Sequence, residues 1–201
     1  PLLSVVFNII YFYNQYEFTV LLAVQPMPRR NIVMGQLVAV ALALLVAFLF
    51  GVGLPVLVYS PGGAGCTLLL TGAALTAVFT AIGGLIAVKN RDRARGVGIG
   101  LVTWVIMVLV YDAILLWIMF GFSDRPIEPV IVPLAALNPI DLARILIMLK
   151  IDLAALLGYT GAVYQQFFGS AGGMLVSLFA LFLWVILPTF WAVRAFKRKN
   201  L

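Results

Sequence analysis

The sequence predicts an all-α integral membrane protein, a polytopic helical bundle, and three observations carry that prediction. Of the 201 residues, 64% are hydrophobic and only 10% are charged, whereas a water-soluble domain dresses its surface with about a quarter charged residues. The mean hydropathy is +1.15. The 13 Lys and Arg fall in short clusters between long apolar runs, the distribution that flanks membrane spans. The 10 Pro and 18 Gly follow no period, so collagen-like and low-complexity readings fail.

In chain order, residues 1–13 form an apolar run worth about 20 Å of helix, short of the about 30 Å hydrocarbon core. We expect a partial span there, with a further helix before it in the full-length protein. Residues 14–35 read as a loop carrying a short amphipathic helix that ends at Gln25, because Pro26 and Pro28 forbid its continuation. The first complete span is 36–59, about 36 Å long as helix, with Gly51, Gly53 and Pro55 placed to bend it. Ser60 to Ala64 is a tight turn. The second span is 66–88 and the third is 96–120, joined by the charged loop 89–95. Gly96 and Gly100 form a small-xxx-small pair for close helix packing. The last span, 171–196, contains Pro188 and runs into the basic tail 197–201. All of this is one transmembrane domain.

The segment 121–170 is long for a loop and too apolar for an ordinary one. Asn138-Pro139-Ile140-Asp141 has the form of a helix start: an Asn cap, Pro in the first turn and an acid close behind. From there Leu142, Ile145, Leu146 and Leu149 share one face, and Asp141 and Arg144 are spaced to pair. Gly158 and Gly161 interrupt, and Ala162 to Phe168 reads as a second short helix. Asp141, Arg144, Lys150 and Asp152 each cost about 2–3 kcal/mol at the bilayer centre, so an interfacial or re-entrant pair is expected rather than a fifth span.

Basic residues fix the expected orientation. Arg29, Arg30, Lys89, Arg91, Arg93, Arg95, Arg194, Lys197, Arg198 and Lys199 fall on one side, and only Arg125, Arg144 and Lys150 on the other. The first side, including the C-terminus, should be cytoplasmic. The net charge of +6 is thus topological, and without a basic stripe and interleaved aromatics no nucleic-acid partner is expected.

Several chemistries are excluded. Histidine is absent and Cys66 is the single cysteine, which removes an internal disulfide, a Ser-His-Asp triad and the commonest metal ligands. There is no P-loop, and the Gly96-x-Gly98-x-Gly100 run opens an apolar helix instead of following a strand. No enzyme activity, cofactor or metal site is expected on this chain. Tyr59, Phe122 and Trp191 fit interfacial aromatic belts, while Trp104, Trp117 and Trp184 read as packing residues.

Two features remain as functional candidates. Asp112 lies about halfway along the third span, where a carboxylate should face protein or water, and the sequence offers it no evident cationic partner. The other is the 14–35 loop, in which Glu17 precedes a Leu-rich turn. Glu17-Phe18-Thr19-Val20-Leu21-Leu22, followed by Gln25-Pro26-x-Pro28-Arg29, resembles the segment that ABC-2 type transporter permeases place after their second helix, the coupling helix that docks in a groove of the ATP-binding subunit. The match has one acid before Thr19 where the family often has two, and a shorter spacing to Pro26. The resemblance implies partner contacts through Glu17, Leu21, Leu22, Pro26, Arg29 and Arg30.

A second stretch, Leu137-Asn138-Pro139-Ile140-Asp141-Leu142-Ala143-Arg144 with Gly161-Ala162-Val163 downstream, resembles the outer-face region of the NosY-like branch, permeases associated with maturation of copper enzymes such as nitrous oxide reductase. The likeness covers the chain from Pro1 to Leu201 without the family's first helix. It implies an ABC-2 type permease fold of six helices, four complete and one partial here. It also implies a bacterial inner-membrane homodimer, a separate ATPase subunit carrying ATP and magnesium, and a periplasmic accessory protein, and it marks Asn138, Asp141 and Arg144 as candidate residues of the outer-face segment. Other ABC-2 exporters move lipids, polysaccharides or drugs through the same architecture.

Overall fold

The computed structural model describes residues 1–59, 62–121, 128–150 and 171–198. The expected helix at Ala162 to Phe168, the motif at Gly161 to Val163, and Phe122, Arg125, Asp152 and Lys199 lie outside these described residues. Among the described residues every regular element is helical and no strand occurs. Leu2–Asn14 is α1, Tyr16–Val24 is α2 and Arg29–Phe48 is α3. A π-helical stretch, Leu49–Gly53, joins α3 to the short α4, Leu54–Tyr59. Gly63–Lys89 is α5 and Arg93–Val105 is α6, which passes through a second π-helical stretch, Ile106–Val110, into α7, Tyr111–Gly121. Glu128–Leu137 is α8, Pro139–Lys150 is α9 and Ala171–Lys197 is α10.

Four helical stretches are long and apolar enough to cross a membrane: Arg29–Tyr59, Gly63–Lys89, Arg93–Ile118 and Gly173–Lys197. They give the chain its transmembrane character. Their side chains carry the signature of a lipid solvent, since Leu42, Phe50, Leu57, Leu109, Phe179 and Phe182 are all exposed. Over half of the apolar stretch of α5 is buried, 56% against 11–22% for the other three, so α5 is the most enclosed of the spans. Its Thr, Ala and Gly content suits close helix approach, and Thr71 and Thr80 return their hydroxyls to the carbonyls of Thr67 and Thr76.

The spans differ from the sequence reading at their ends. The first begins at Arg29 rather than Gln36, and Ile32 and Val33 are already buried, so the connecting loop is shorter than 14–35. Where Gly51, Gly53 and Pro55 were expected to bend the helix, the structure has the π-helical stretch Leu49–Gly53, which inserts a residue and re-registers the turn. Pro188 is carried inside α10 without ending it.

Two compact units are present. One comprises Pro1–Phe48, Thr76–Trp104 and Leu183–Leu201; the other comprises Leu49–Leu75 and Val105–Phe182. In the first, Val33 and Leu37 of α3, Val88 of α5 and Ala192 and Phe196 of α10 form a buried cluster, with Phe12 against it. Here α1 lies close on α5 and α6: a Cβ built on Gly83 would stand 2.9 Å from the Val5 carbonyl oxygen, and one on Gly100 would meet Ile9 and Val5. Gly96 sits under the Tyr13 ring. The small-xxx-small pair thus serves to admit α1.

In the second unit Leu142, Ile145 and Leu146 are all buried, packed with Ala135 of α8 and Leu181 of α10. These are the residues that the spacing placed on one face, and Leu149 borders the cluster. Trp117, read from the sequence as a packing residue, is instead 73% exposed, because residues 114, 117 and 121 lie on the outward side of α7 while Leu115 turns inward.

Candidate functional site

In the second unit, a charged and polar cluster gathers where α7 meets α8 and α9. Pro139 can open α9 because its missing N–H is not needed in a first turn. Asn138 caps the helix: its Oδ1 accepts the Ile140 N–H at 3.1 Å. The same side chain reaches outward, Nδ2 donating to the Met107 carbonyl at 2.6 Å and to Asp141 Oδ2 at 2.9 Å. Met107 belongs to the π-helical stretch, where the i to i−4 ladder is broken and a carbonyl is available to an outside donor. One turn on, the Tyr111 hydroxyl donates to the Leu134 carbonyl of α8 at 2.5 Å.

Arg144 holds the cluster together. Its Nη1 donates to Asp112 Oδ2 at 2.7 Å and its Nη2 to Asp141 Oδ1 at 2.5 Å. Asp112 therefore has a cationic partner after all, one that sequence reasoning missed because it comes from 32 positions away, on another helix. The planar guanidinium fork suits two carboxylates at once. The side chains of Arg144 and Asp112 are 39% and 35% exposed, and that of Asp141 only 4%. Burial, and then the neighbouring Asp112 carboxylate, push the Asp141 carboxyl up to about 6, against the opposing pull of Arg144 and Asn138.

That value carries a sign. A folded-state pKa above the unfolded value of about 3.9 means the folded chain holds an extra proton between about pH 4 and 6. The stabilising contribution is full below about pH 4 and is lost as pH rises through about 6. We expect a carboxylic-acid infrared band of the intact chain to titrate with a midpoint about 6 and to vanish in Asp141→Asn; a band unaffected by that substitution would remove the assignment.

The second candidate is α2. Among the family-suggested contact residues, Glu17, Leu21, Pro26, Arg29 and Arg30 are exposed and Leu22 is half-buried. The structure keeps Glu17 to Leu22 on α2, whereas Arg29 and Arg30 open α3. The expected amphipathic character is not found: Tyr16, Phe18, Leu21 and Val24 point outward while Val20, Leu22 and Ala23 are partly covered, so α2 is apolar nearly all round. Thr19 is its one buried residue. The Thr19 hydroxyl donates to the Gln15 carbonyl at 2.7 Å and accepts from Gln36 Nε2 of α3 at 2.6 Å. Position 19 is therefore tied to the first long span, a link with no local sequence signal.

The same unit contains a cleft of about 530 Å³ lined by the end of α1 (Phe12, Tyr13, Asn14), by Tyr16 and Thr19 of α2, by Ala87 and Val88 of α5, by Asn90, Arg91 and Arg93, and by Phe196. Among the described residues no group of three or more His, Cys, Asp or Glu is placed to hold a metal. No family model matches this chain, and a search of curated proteins finds no significant match.

Proposed function

We propose that this chain is the membrane-spanning permease subunit of an ATP-driven ABC-2 type transporter, NosY-like and involved in copper-enzyme maturation, working as a homodimer with a separate ATPase and a periplasmic accessory protein. The observation that carries the reading is α2: a short helix between two apolar helices, showing Phe18, Leu21 and Val24 to the outside with Glu17 beside them. A contiguous exposed apolar patch of this kind, bordered by charge, fits a partner's groove. The Thr19 to Gln36 hydrogen bond supplies a route for force, because a displacement of α2 pulls directly on α3. ATP-driven closure of the partner subunit would then tilt that span. The orientation that goes with this places α2 and the C-terminus in the cytoplasm.

The test is co-purification of the tagged chain with its ATPase. Leu21→Asp and Glu17→Lys are each expected to reduce recovery of the ATPase about tenfold or more, the scale of losing a central interface anchor. Unchanged recovery with both substitutions overturns the coupling-helix assignment. A second reading, a non-transporting scaffold for a periplasmic assembly factor, draws on the α8–α9 corner, which Asn138 ties to the Met107 carbonyl and Arg144 ties to Asp112 of α7. A scaffold keeps its activity when the ATPase is catalytically dead, and a transporter does not.

A further inference from the structure

We propose that the cleft beside the Lys89–Arg95 segment binds the phosphate end of an anionic phospholipid. The cleft combines two surfaces that a free anion does not need together. Arg91 and Arg93 line it together with the apolar side chains of Phe12, Val88 and Phe196. The segment carries four cations and one acid, a net +3, and that acid, Asp92, is engaged in accepting the Ala94 N–H at 2.8 Å. Arg93 Nη1 donates to the neutral Asn14 Oδ1 at 3.2 Å, which orients the guanidinium without compensating its charge. Arg91 has no hydrogen bond or ion pair among the described residues.

Depth in the membrane supports a lipid. Two transmembrane helices terminate at this point, one at Lys89 and the other starting at Arg93, so Asn90 to Asp92 lie at the level of the headgroups. Basic pockets between spans at that level take anionic headgroups, and guanidinium groups pair with phosphate oxygens in a fork. The Tyr13 hydroxyl donates to the Asn90 carbonyl at 3.2 Å, fixing the aromatic wall at the interface, as Tyr does in membrane belts. About 530 Å³ accommodates a phosphate, glycerol and the first part of an acyl chain, within the about 300–1,000 Å³ of small-molecule sites. Tyr16 and Thr19 of α2 line the cleft, whereas the exposed Phe18 and Leu21 proposed for the ATPase contact do not, so substitutions at Arg91 and at Leu21 test the two sites separately.

The intact chain in detergent is offered equimolar phosphatidylglycerol and phosphatidylcholine, and retained lipid is counted by native mass spectrometry. The wild type should retain phosphatidylglycerol preferentially. Arg91→Gln should cut that preference about fivefold and Arg91→Gln with Arg93→Gln about thirtyfold, at the usual strength of one basic residue near an anionic surface. Lys89→Gln and Arg95→Gln, outside the cleft lining, should leave most of it. If the double variant does not fold, Arg91→Gln alone decides, since that side chain makes no hydrogen bond or ion pair among the described residues. Equal retention of the two lipids by the wild type, or a preference undiminished by Arg91→Gln, overturns the proposal. Thermal stabilisation by inorganic phosphate equal to that by phosphatidylglycerol also overturns it, in favour of a free-anion site.

Discussion

Arg144→Met is expected to lower unfolding stability by about 1–3 kcal/mol in micelles. Removing one partner of a fully buried ion pair costs about 3–5 kcal/mol, because the remaining charge stays desolvated. The discount follows from the partial exposure of Arg144 and Asp112, 39% and 35%, which lets solvent screen them. Two carboxylates lose their shared cation, and Asp141, with a 4% exposed side chain, bears most of the penalty. Its simplest relief is to bind a proton. The destabilisation should therefore be smaller at pH 5 than at pH 8, as the Asp141 carboxyl already titrates near 6. Asp112→Asn placed on top of Arg144→Met should recover part of the loss. Denaturant unfolding at the two pH values, together with hydrogen exchange along α9, measures all three effects. A single variant as stable as wild type at pH 8 would show that the network does not hold α9 to α7.

The other large effect is expected at Gly83. A side chain there meets the Val5 backbone oxygen at 2.9 Å and the Val5 Cα and Asn8 Cβ at 3.3 Å. Backbone cannot swing aside as a side-chain end can, so α1 must move off α5. Gly83→Val should cost about 1–3 kcal/mol through overpacking, and about 1 kcal/mol more if Asn8 Nδ2 loses the Thr80 carbonyl. Gly35→Ala is the control, since nothing lies within 4 Å of a Cβ at that position; it should be neutral or slightly stabilising, Ala being the better helix former. Thermal unfolding of the two variants side by side tests the packing, and equal melting temperatures would disprove the α1–α5 contact.

Hydropathy and punctuation made much of the architecture readable in advance. A lipid solvent leaves long apolar runs between charged clusters, and these runs are the four long helices. Asn138-Pro139 marks the start of α9 because capping is local chemistry: an Asn side chain and a missing Pro N–H act within one turn. The spacing of Leu142, Ile145 and Leu146 likewise announces a buried face, since helical period and burial are coupled along one element.

The site was only half legible. Asp112 announced itself by being a carboxylate in an apolar span, and Arg144 by its spacing to Asp141, yet nothing in the linear order joined them. That junction depends on the π-helical stretch Ile106–Val110 and on Asn138 clasping the Met107 carbonyl, both consequences of how α7, α8 and α9 pack. The character of α2 was misjudged for the same kind of reason. Composition shows a Leu and Val face, but which face is covered is set by Gln36 taking hold of Thr19.

The sequence by itself determined that the chain is helical and carries four helices long and apolar enough to cross a membrane, because those properties sum over neighbouring residues. Only the tertiary structure decided which charges meet, that Gly83 as well as the Gly96/Gly100 pair admits α1, and where a basic cleft opens beside apolar side chains. Those outcomes depend on distances of a few ångströms between residues far apart in the chain, and no periodicity or composition encodes them.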